Sequence, residues 1–159
     1  MNIRVGLGFD LHRLVSGRPC ILGGITFDHD KGPDGHSDGD AVLHAISDAL
    51  LGAAGLDDLG TLFPDTDEEW KGADSAALLC EVVARLGAEG WGVVNLDVVI
   101  ATEGPRIAPR RAELRQRIGE LIGLDSNAVN IKGKTLEGMG ALAGGAGVAV
   151  QAVSLISGS

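Results

Sequence analysis

The sequence contains no tyrosine, and only 3% of its residues are aromatic. Proteins that bind nucleic acids usually stack bases on aromatic side chains and neutralise phosphates with lysine and arginine. Here 22 acidic residues outnumber 13 basic ones, which gives a net charge of −9 at pH 7. We therefore expect no nucleic-acid partner. Because 45% of the residues are nevertheless hydrophobic, the core must be built mainly from aliphatic side chains.

Cysteine is also scarce, with Cys20 and Cys80 far apart and in no CxxC pattern, which excludes a disulfide scaffold. Both lie beside apolar residues, so we expect buried thiols. No apolar run approaches the length of a membrane span, and the first residues lack the apolar segment of a secretory signal. These absences favour a cytoplasmic protein with no membrane partner.

The hydrophobic pattern predicts a single domain over residues 1–159. Apolar residues alternate from Ile3 to Phe9, so we expect a strand whose odd-numbered side chains face the core. This order of elements favours an α+β fold of the α/β sandwich type, with one mostly mixed β-sheet and helices packed on one face. Helices are predicted at residues 38–54, 74–90 and 109–122, and further strands at 20–27, 93–102, 129–135 and 147–156.

Acidic residues are concentrated in the first half of the chain. Residues 1–80 hold 14 acidic and 5 basic side chains, whereas residues 81–159 hold 8 of each. One interpretation is a solvated acidic face. The other is a cation site, because carboxylates bind zinc and harder divalent cations.

Asp10 and His12 follow the first predicted strand segment. Side chains two residues apart share a strand face, so both are expected on the same side as Gly6 and Gly8. Two glycines keep that face open for a ligand or for a neighbouring main chain. The pair is a reasonable half of a zinc site, although an Asp-x-His sequence also occurs by chance.

A second polar cluster begins with residues 36–40 (HSDGD) and continues into a predicted helix. Asp40, His44 and Asp48 are spaced four residues apart, so we expect them on one polar helix face. A carboxylate one turn away would orient the second ring nitrogen of His44. The alternative is an ordinary charged helix surface.

Taken together, Asp10, His12 and His44 predict a three-ligand zinc site. Tetrahedral zinc with three protein ligands keeps one position open, which is typical of a catalytic rather than a structural site. No Ser/His/Asp or Cys/His triad is apparent, so nucleophilic catalysis by the protein is not expected.

Two more segments carry polar groups. Residues 57–67 mix acids with apolar residues in a loop, which indicates either the wall of a site or a plain acidic connector. Residues 132–137 (KGKTLE) combine cations, a hydroxyl and a carboxylate, which suits phosphates and a divalent ion. Arg106 and Arg110 lie near a predicted helix start, a natural neighbour of phosphate.

Several of these segments resemble the 2-C-methyl-D-erythritol 2,4-cyclodiphosphate synthase family. The resemblance is carried, in this order, by residues 8–12 (GFDLH), 36–40 (HSDGD), 48–54 (DALLGAA), 58–60 (DLG) and 62–67 (LFPDTD). It implies an enzyme of non-mevalonate isoprenoid biosynthesis. Such an enzyme cyclises 4-diphosphocytidyl-2-C-methyl-D-erythritol 2-phosphate to the 2,4-cyclodiphosphate and releases CMP. It further implies a homotrimer with active sites between adjacent subunits.

The resemblance also implies two kinds of metal ion. Positions matching Asp10, His12 and His44 bind one Zn²⁺ per site. The position matching Glu137 binds a second divalent ion, Mg²⁺ or Mn²⁺, between the α- and β-phosphates.

Catalytic and substrate-binding roles follow from the same resemblance. His36 and Thr135 match positions that stabilise the transition state. The matching positions that contact the cytidine diphosphate substrate are Asp10, His12, His36, Ser37, Asp58, Leu59, Gly60, Phe63, Pro64, Asp65, Thr66, Asp67, Thr102, Glu103, Gly104, Pro105, Arg106, Ile107, Ala108, Lys134, Thr135, Leu136 and Glu137.

The chain departs from the family pattern at residues 141–146 (ALAGGA). Many members carry an aromatic residue, an arginine and a glutamate there, at a central trimer cavity that can hold a prenyl diphosphate. Because Gly144 stands in place of the arginine, we expect weak or absent prenyl diphosphate binding. Leu136 also stands where a threonine is common, which removes one expected phosphate contact.

Two other functions are compatible with the same residues. A metal-dependent phosphohydrolase acting on nucleotides would share the ions but use water as the nucleophile. A non-catalytic metal-binding oligomer would share the ligands without any turnover.

Overall fold

The computed structural model describes residues 2–64, 66–70 and 72–158. The strands are β1 (Asn2–Ser16), β2 (Cys20–Leu22), β3 (Ile25–Phe27), β4 (Lys31–Pro33), β5 (Trp91–Thr102), β6 (Val129–Lys134) and β7 (Gly147–Gly158). The helices are α1 (Ala41–Ala54), α2 (Leu59–Leu62), α3 (Ser75–Ala88) and α4 (Arg111–Ile122). Single 3₁₀ turns cover Glu68–Trp70, Ala108–Arg110, Ser126–Ala128 and Ala143–Gly145.

Five of the strands form one sheet in the order β4-β1-β7-β5-β6. Strand β7 is antiparallel to β1 and β5, while β5 and β6 are parallel, so the sheet is mixed. The predicted α+β class is therefore confirmed. The strand predicted at residues 20–27 is instead a separate hairpin of β2 and β3, because Gly23 and Gly24 both turn the chain with positive φ.

Helix α1 is the centre of the core and covers strands β1 and β7. Ala45, Ile46, Ala49 and Leu50 of this helix are fully buried. Complete burial of a leucine or isoleucine side chain stabilises the fold by roughly 1.5–3 kcal/mol. Helix α3 packs beside α1, and helix α4 packs against α3 and strand β6, which completes one layer of helices.

The face of β1 that packs against helix α1 is the opposite of the one predicted. Gly6 and Gly8 are buried, whereas the odd-numbered apolar residues are about half exposed or more. A Cβ atom on Gly6 would lie 1.8 Å from the Ala49 carbonyl oxygen, so only glycine allows this approach. Alternation alone indicates two different faces and does not tell which one a helix covers. The exposed set, called here the outer apolar face, consists of Ile3, Val5, Leu7, Phe9 and Leu11.

The cysteine prediction was right for one residue and wrong for the other. Cys20 is buried in the hairpin, but Cys80 is exposed, because it lies outside the buried face of α3 that carries Leu78, Leu79 and Val82. Burial raises the pKa of the Cys20 thiol to about 11. Among the residues described, no helix is both long and apolar enough to cross a bilayer.

Candidate metal centre and active site

Asp10, His12 and His44 lie together, with one ligand atom from each within 4.8 Å of the other two. The Asp10 Oδ2 atom is 3.0 Å from His12 Nε2 and 3.0 Å from His44 Nδ1. The two ring nitrogens are 3.4 Å apart. Three ligand atoms at this spacing converge on a single point.

The close packing of β1 on α1 produces this convergence. Asp10 and His12 continue the face of β1 that carries Gly6 and Gly8, and this face packs on α1. His44 lies in the first turns of the helix. Because two glycines bring the helix main chain against the strand, the imidazole of His44 reaches the side chains at the strand's end.

Neighbouring groups orient each histidine. The Nδ1 atom of His12 is 2.7 Å from the main-chain oxygen of Asp34, which can only accept, so Nδ1 donates. The Nε2 atom faces Asp10 and offers a lone pair to a metal when the ring is neutral. The Nε2 atom of His44 lies 2.9 Å from the Ser75 hydroxyl and 3.2 Å from that of Ser37. Two imidazoles and a carboxylate are a donor set that suits Zn²⁺.

The charges within the cluster reinforce one another. Burial by itself would raise the pKa of Asp10, but hydrogen bonds from His12 and His44 outweigh it and hold the pKa well below its usual range. The hydrogen bond to Asp10 raises the pKa of His12. Asp10 is therefore ionised at neutral pH, as a metal-binding carboxylate must be.

Asp40 and Asp48 do not orient His44, contrary to the expected polar helix face. Asp40 is the fully buried N-cap of α1, and its carboxylate accepts N–H bonds from Gly23, Gly24, Val42 and Leu43. Burial raises the pKa of Asp40 to about 6. Asp48 accepts the main-chain N–H of Leu59 at 2.8 Å, and burial raises its pKa. Serine hydroxyls take the place of these carboxylates beside His44.

A cavity of about 450 Å³ opens over the metal cluster. None of the described residues lining it is a lysine or arginine. Its lining includes five residues predicted to contact substrate beyond the cluster itself: His36, Ser37, Leu59, Gly60 and Phe63. Three more were not predicted as contacts: Asp48, Trp70 and Leu78. The Trp70 ring packs edge-on against Phe63 at 5.0 Å, a contact for which the sequence carried no signal.

Other predicted contacts in residues 58–67 lie outside that lining. Asp58 caps helix α2 by accepting the Thr61 N–H, and hydrogen bonds from the side chain and the main chain of Thr61 lower the pKa of Asp58. Pro64, Thr66 and Asp67 are not in the described lining, and Asp65 falls outside the described residues.

A second cavity of about 180 Å³ gathers most of the remaining predicted contacts. Gly104 lines a neighbouring third cavity instead, beside His29. Neither Leu136 nor Glu137 is in the described lining of the second cavity, and Glu137 accepts a hydrogen bond from Thr135. The second cavity is lined by Thr102, Glu103, Pro105, Arg106, Ile107, Ala108, Gly133, Lys134 and Thr135.

Two cations considered for phosphate binding are engaged within the fold. Lys132 pairs with Asp97 at 2.6 Å, and this partner lowers the pKa of Asp97. Arg110 donates to Glu113 and to the main-chain oxygen of Thr26. Within one chain, the second cavity shares no described lining residue with the cavity over the metal cluster.

Sequence comparison supports the resemblance over the full chain. Residues 3–157 match the YgbB family. A curated 2-C-methyl-D-erythritol 2,4-cyclodiphosphate synthase from Laribacter hongkongensis is 51% identical over 156 residues, covering 98% of this chain and 96% of its own length. The synthase from Chromobacterium violaceum is 53% identical over 154 residues, covering 97% and 98%.

Solved structures agree with the sequence match. A 2C-methyl-D-erythritol-2,4-cyclodiphosphate synthase in a CDP-bound form superposes with a TM-score of 0.89 and 38% identity, covering 97% of this chain and 100% of its own. The bifunctional IspDF from Campylobacter jejuni gives a TM-score of 0.95 at 33% identity, covering 99% of this chain and 43% of that longer protein. The chain belongs to the YgbB family, the family of the 2-C-methyl-D-erythritol 2,4-cyclodiphosphate synthases.

Proposed function

We propose that this chain cyclises 4-diphosphocytidyl-2-C-methyl-D-erythritol 2-phosphate to 2-C-methyl-D-erythritol 2,4-cyclodiphosphate and releases CMP. The observation that carries this proposal is the Asp10, His12 and His44 cluster at the floor of a cavity, in a chain of this family. Relatives about half identical to it are named for this reaction.

The reaction is an internal phosphoryl transfer. An oxygen of the 2-phosphate forms a bond to the β-phosphorus, the bond from that phosphorus to the bridging oxygen breaks, and CMP leaves with the bridging oxygen. Because the nucleophile is tethered to the substrate, positioning and charge neutralisation matter more than a protein base. This agrees with a site that offers imidazoles and carboxylates, since the Ser75 hydroxyl beside His44 is almost fully buried and donates to Asp38.

Asp10, His12 and His44 are proposed to hold one Zn²⁺. The two neutral imidazole lone pairs and the ionised carboxylate match its ligand preference. When bound, a zinc ion would act as a Lewis acid on a phosphoryl oxygen and offset the charge of the diphosphate. The protein fixes the three ligand atoms in advance, because β1 and α1 are both built into the core.

The second divalent ion, Mg²⁺ or Mn²⁺, is assigned to Glu137 as part of the proposal. The exposed carboxylate of Glu137 stands just beyond the end of β6, in a residue with φ of 51°. Oxygen ligands of this kind suit both ions. Lys134 and Thr135 nearby are proposed to contact the phosphates.

The substrate contacts divide between the two cavities. We assign the methylerythritol part to the cavity over the metal cluster, with Asp58 and residues 63–67 contributing. The cytidine and its phosphates are assigned to residues 102–108 and 134–137. His36, at the first cavity, and Thr135, at the second, are the proposed stabilisers of the transition state.

We also propose a homotrimer in which adjacent subunits complete each site. The outer apolar face of β1 supports this, because an exposed apolar row on a sheet marks an interaction surface. The separation of the two cavities within one chain supports it as well, since a neighbouring subunit can bring them together. A cytoplasmic location and a single domain over residues 1–159 remain part of the proposal.

The product of the reaction tests the proposed function. The purified protein, supplied with Zn²⁺ and Mg²⁺, is incubated with the cytidyl substrate, and the products are identified by ³¹P NMR and mass spectrometry. We expect CMP and the cyclic diphosphate in equal amounts. A linear methylerythritol phosphate would indicate a hydrolase, and no turnover in the presence of bound zinc would indicate a metal-binding protein without this activity.

A further inference from the structure

His36 belongs to a segment, residues 34–38, that lies in neither a helix nor a strand. The residue is exposed and lines the cavity over the metal cluster. Within the described part of the chain, the His36 ring makes no hydrogen bond, so its position depends on how its main chain is held. Main-chain groups outside a helix or sheet need hydrogen-bond partners from elsewhere in the fold.

The guanidinium group of Arg18 supplies two of these partners. Its Nη1 atom donates to the main-chain oxygen of Gly35 at 3.0 Å, and its Nη2 atom donates to that of Ser37 at 3.0 Å. The two accepting carbonyls belong to the residues on either side of His36. One planar guanidinium therefore brackets His36 from the turn between β1 and β2.

The direction of both hydrogen bonds is fixed by the chemistry of the groups. A guanidinium has only donors and stays protonated throughout the physiological pH range, and a main-chain carbonyl only accepts. Neither bond depends on the protonation of a histidine or on a bound metal. The Arg18 side chain is 32% exposed, so water screens its ion pair with Asp34 at 3.4 Å, and the two main-chain bonds are the stronger anchors.

A different part of the chain holds the same segment through its main chain. The His36 carbonyl oxygen accepts the N–H of Gly72 at 3.0 Å, and the N–H of Asp38 donates to the main-chain oxygen of Ala73 at 3.2 Å. Arg18 itself is not in the described lining of the cavity. It therefore acts on the segment from outside the site.

We propose that Arg18 is a positioning residue that holds His36 at the cavity by bracketing its main chain. The inference rests on the proposed function, in which His36 stabilises the transition state. The fork of a guanidinium matches two acceptors at once, and the single ammonium nitrogen of a lysine does not reproduce that spacing. The geometry of the side chain is required, and positive charge alone is not sufficient.

The experiment measures the order of the segment and the catalytic rate separately. In the full-length protein, ¹⁵N relaxation gives order parameters for the main-chain amides of His36 and Ser37. Steady-state kinetics with Zn²⁺ and Mg²⁺ supplied gives kcat and KM for release of CMP from the cytidyl substrate, and the zinc content of the same samples is measured. The variants are Arg18→Lys, which keeps the charge, and Arg18→Met, which keeps only the apolar stem.

Arg13→Lys is the matched control. Arg13 lies in β1, is exposed, and makes no side-chain hydrogen bond to any residue that the structure describes. This variant should match wild type in the order of the segment, in kcat, in KM and in zinc content.

We expect wild-type order parameters near 0.85 at His36 and Ser37, and a fall toward about 0.6 in both Arg18 variants. The value of kcat should fall roughly 10–100-fold, because small displacements of a catalytic group are costly. KM should change less, since a group that acts in the transition state affects the chemical step most. Zinc content should stay at the wild-type level, because the side-chain hydrogen bonds of Arg18 go to residues 34, 35 and 37 and not to the proposed ligands.

Mobile amides at His36 and Ser37 in an active wild type would overturn the inference. So would folded Arg18 variants in which either the order of the segment or kcat stays at the wild-type level. A variant that loses its zinc together with its activity would also overturn it, because Arg18 would then support the metal cluster rather than His36.

Failure of the proposed function gives a different result. If wild type releases no CMP, the proposed function fails, and the order parameters alone decide whether Arg18 holds His36. Arg18→Met keeps the test decisive if Arg18→Lys does not fold.

Discussion

Gly8 of strand β1 lies directly against the main chain of Ala45 in helix α1. A Cβ atom built on Gly8 would be 1.8 Å from the Ala45 carbonyl oxygen and 2.7 Å from the Ala49 nitrogen. This contact sets the distance between β1 and α1 at a point two residues before Asp10 in the strand. Gly8 therefore allows the close approach of β1 and α1 that brings His44 to Asp10 and His12.

Gly8→Ala should separate β1 from α1 and disrupt both the core and the metal cluster. Overpacking a core typically costs about 1–3 kcal/mol, and a clash with rigid main chain should reach or exceed the upper end of that range. Urea unfolding and zinc titration measure the two effects. We expect a lower free energy of unfolding and weaker zinc binding.

Gly52→Ala provides the matched control for this change. Gly52 also lies in the α1 helix, but a Cβ atom there would meet nothing within 4 Å. Replacing an exposed helical glycine by alanine should stabilise the fold by about 0.5–1 kcal/mol. A Gly8→Ala protein as stable as wild type would contradict the packing described for β1.

The sequence was sufficient to bring Asp10, His12 and His44 together, because strand and helix periodicities are local and the histidines are few. It did not reveal which face of β1 meets the helix, because alternation shows that the two faces differ but not which one is buried, and here the apolar residues are the exposed set. Two glycines in register on one face were the available signal. Helical spacing also predicted the wrong position for the Asp40 side chain. Asp40 is the N-cap of α1, and a capping residue has non-helical φ/ψ, so its side chain does not share a helix face with His44 and Asp48.

The supporting groups were not predictable in the same way. Ser75 is the first residue of α3, and its contact with His44 links residues 31 positions apart. Leu78 reaches the cavity from α3, and Trp70 reaches it from the 3₁₀ turn that precedes this helix. Contacts of this kind depend on the tertiary arrangement and leave no local periodicity in the sequence.

His44→Ala should abolish zinc binding at the cluster and with it the turnover of the cytidyl substrate. Asp10 and His12 alone leave too few ligands for a tetrahedral ion. Metal content by mass spectrometry and the rate of CMP release measure the two losses. His29→Ala removes the same side chain outside the cavity over the cluster, and this variant should retain its bound zinc. Full turnover by a zinc-free His44→Ala protein would contradict the proposed role of the cluster.

Two inactive variants should restore activity to each other if adjacent subunits complete each site. His44→Ala impairs the cavity over the cluster, and Thr135→Ala impairs the second cavity. Co-assembled oligomers of the two contain some sites with both cavities intact, so CMP release should reappear. Continued inactivity in mixed oligomers, verified by mass, would argue for sites formed within one chain.

Asp40 should make the fold less stable as pH rises from about 4 to 6. In the unfolded chain this carboxyl loses its proton near its ordinary pKa of 3.8, whereas burial raises the pKa in the folded protein to about 6. Across that window the folded state binds more protons, so the free energy of unfolding falls as pH rises. A shift of this size corresponds to about 3 kcal/mol.

Asp40→Asn isolates this contribution from that of the other carboxyl groups. Asparagine caps helices well but cannot accept every N–H that reaches Asp40, so the variant should be less stable at neutral pH by about 1–3 kcal/mol. Its stability should nevertheless vary less between pH 4 and 6 than that of wild type, as followed by urea unfolding. If the stability of wild type and of Asp40→Asn changed equally between pH 4 and 6, the raised pKa of Asp40 would be refuted.

The chain should bind prenyl diphosphates weakly or not at all. Gly144 offers no charge, and its main-chain N–H is already bonded to Glu103 at 2.6 Å. The nearby residues 141–146 contribute neither an arginine nor a glutamate. Calorimetric titration with farnesyl diphosphate should give no stoichiometric heat. Tight binding of one ligand per oligomer would show that other groups replace the missing charges.

Anomalous diffraction at the zinc absorption edge, on crystals grown with Zn²⁺, tests whether Asp10, His12 and His44 hold one metal ion. We predict one strong peak per chain, bounded by a carboxylate oxygen of Asp10, Nε2 of His12 and Nδ1 of His44. Ordered side chains at these three positions with no peak between them would contradict the proposed metal site.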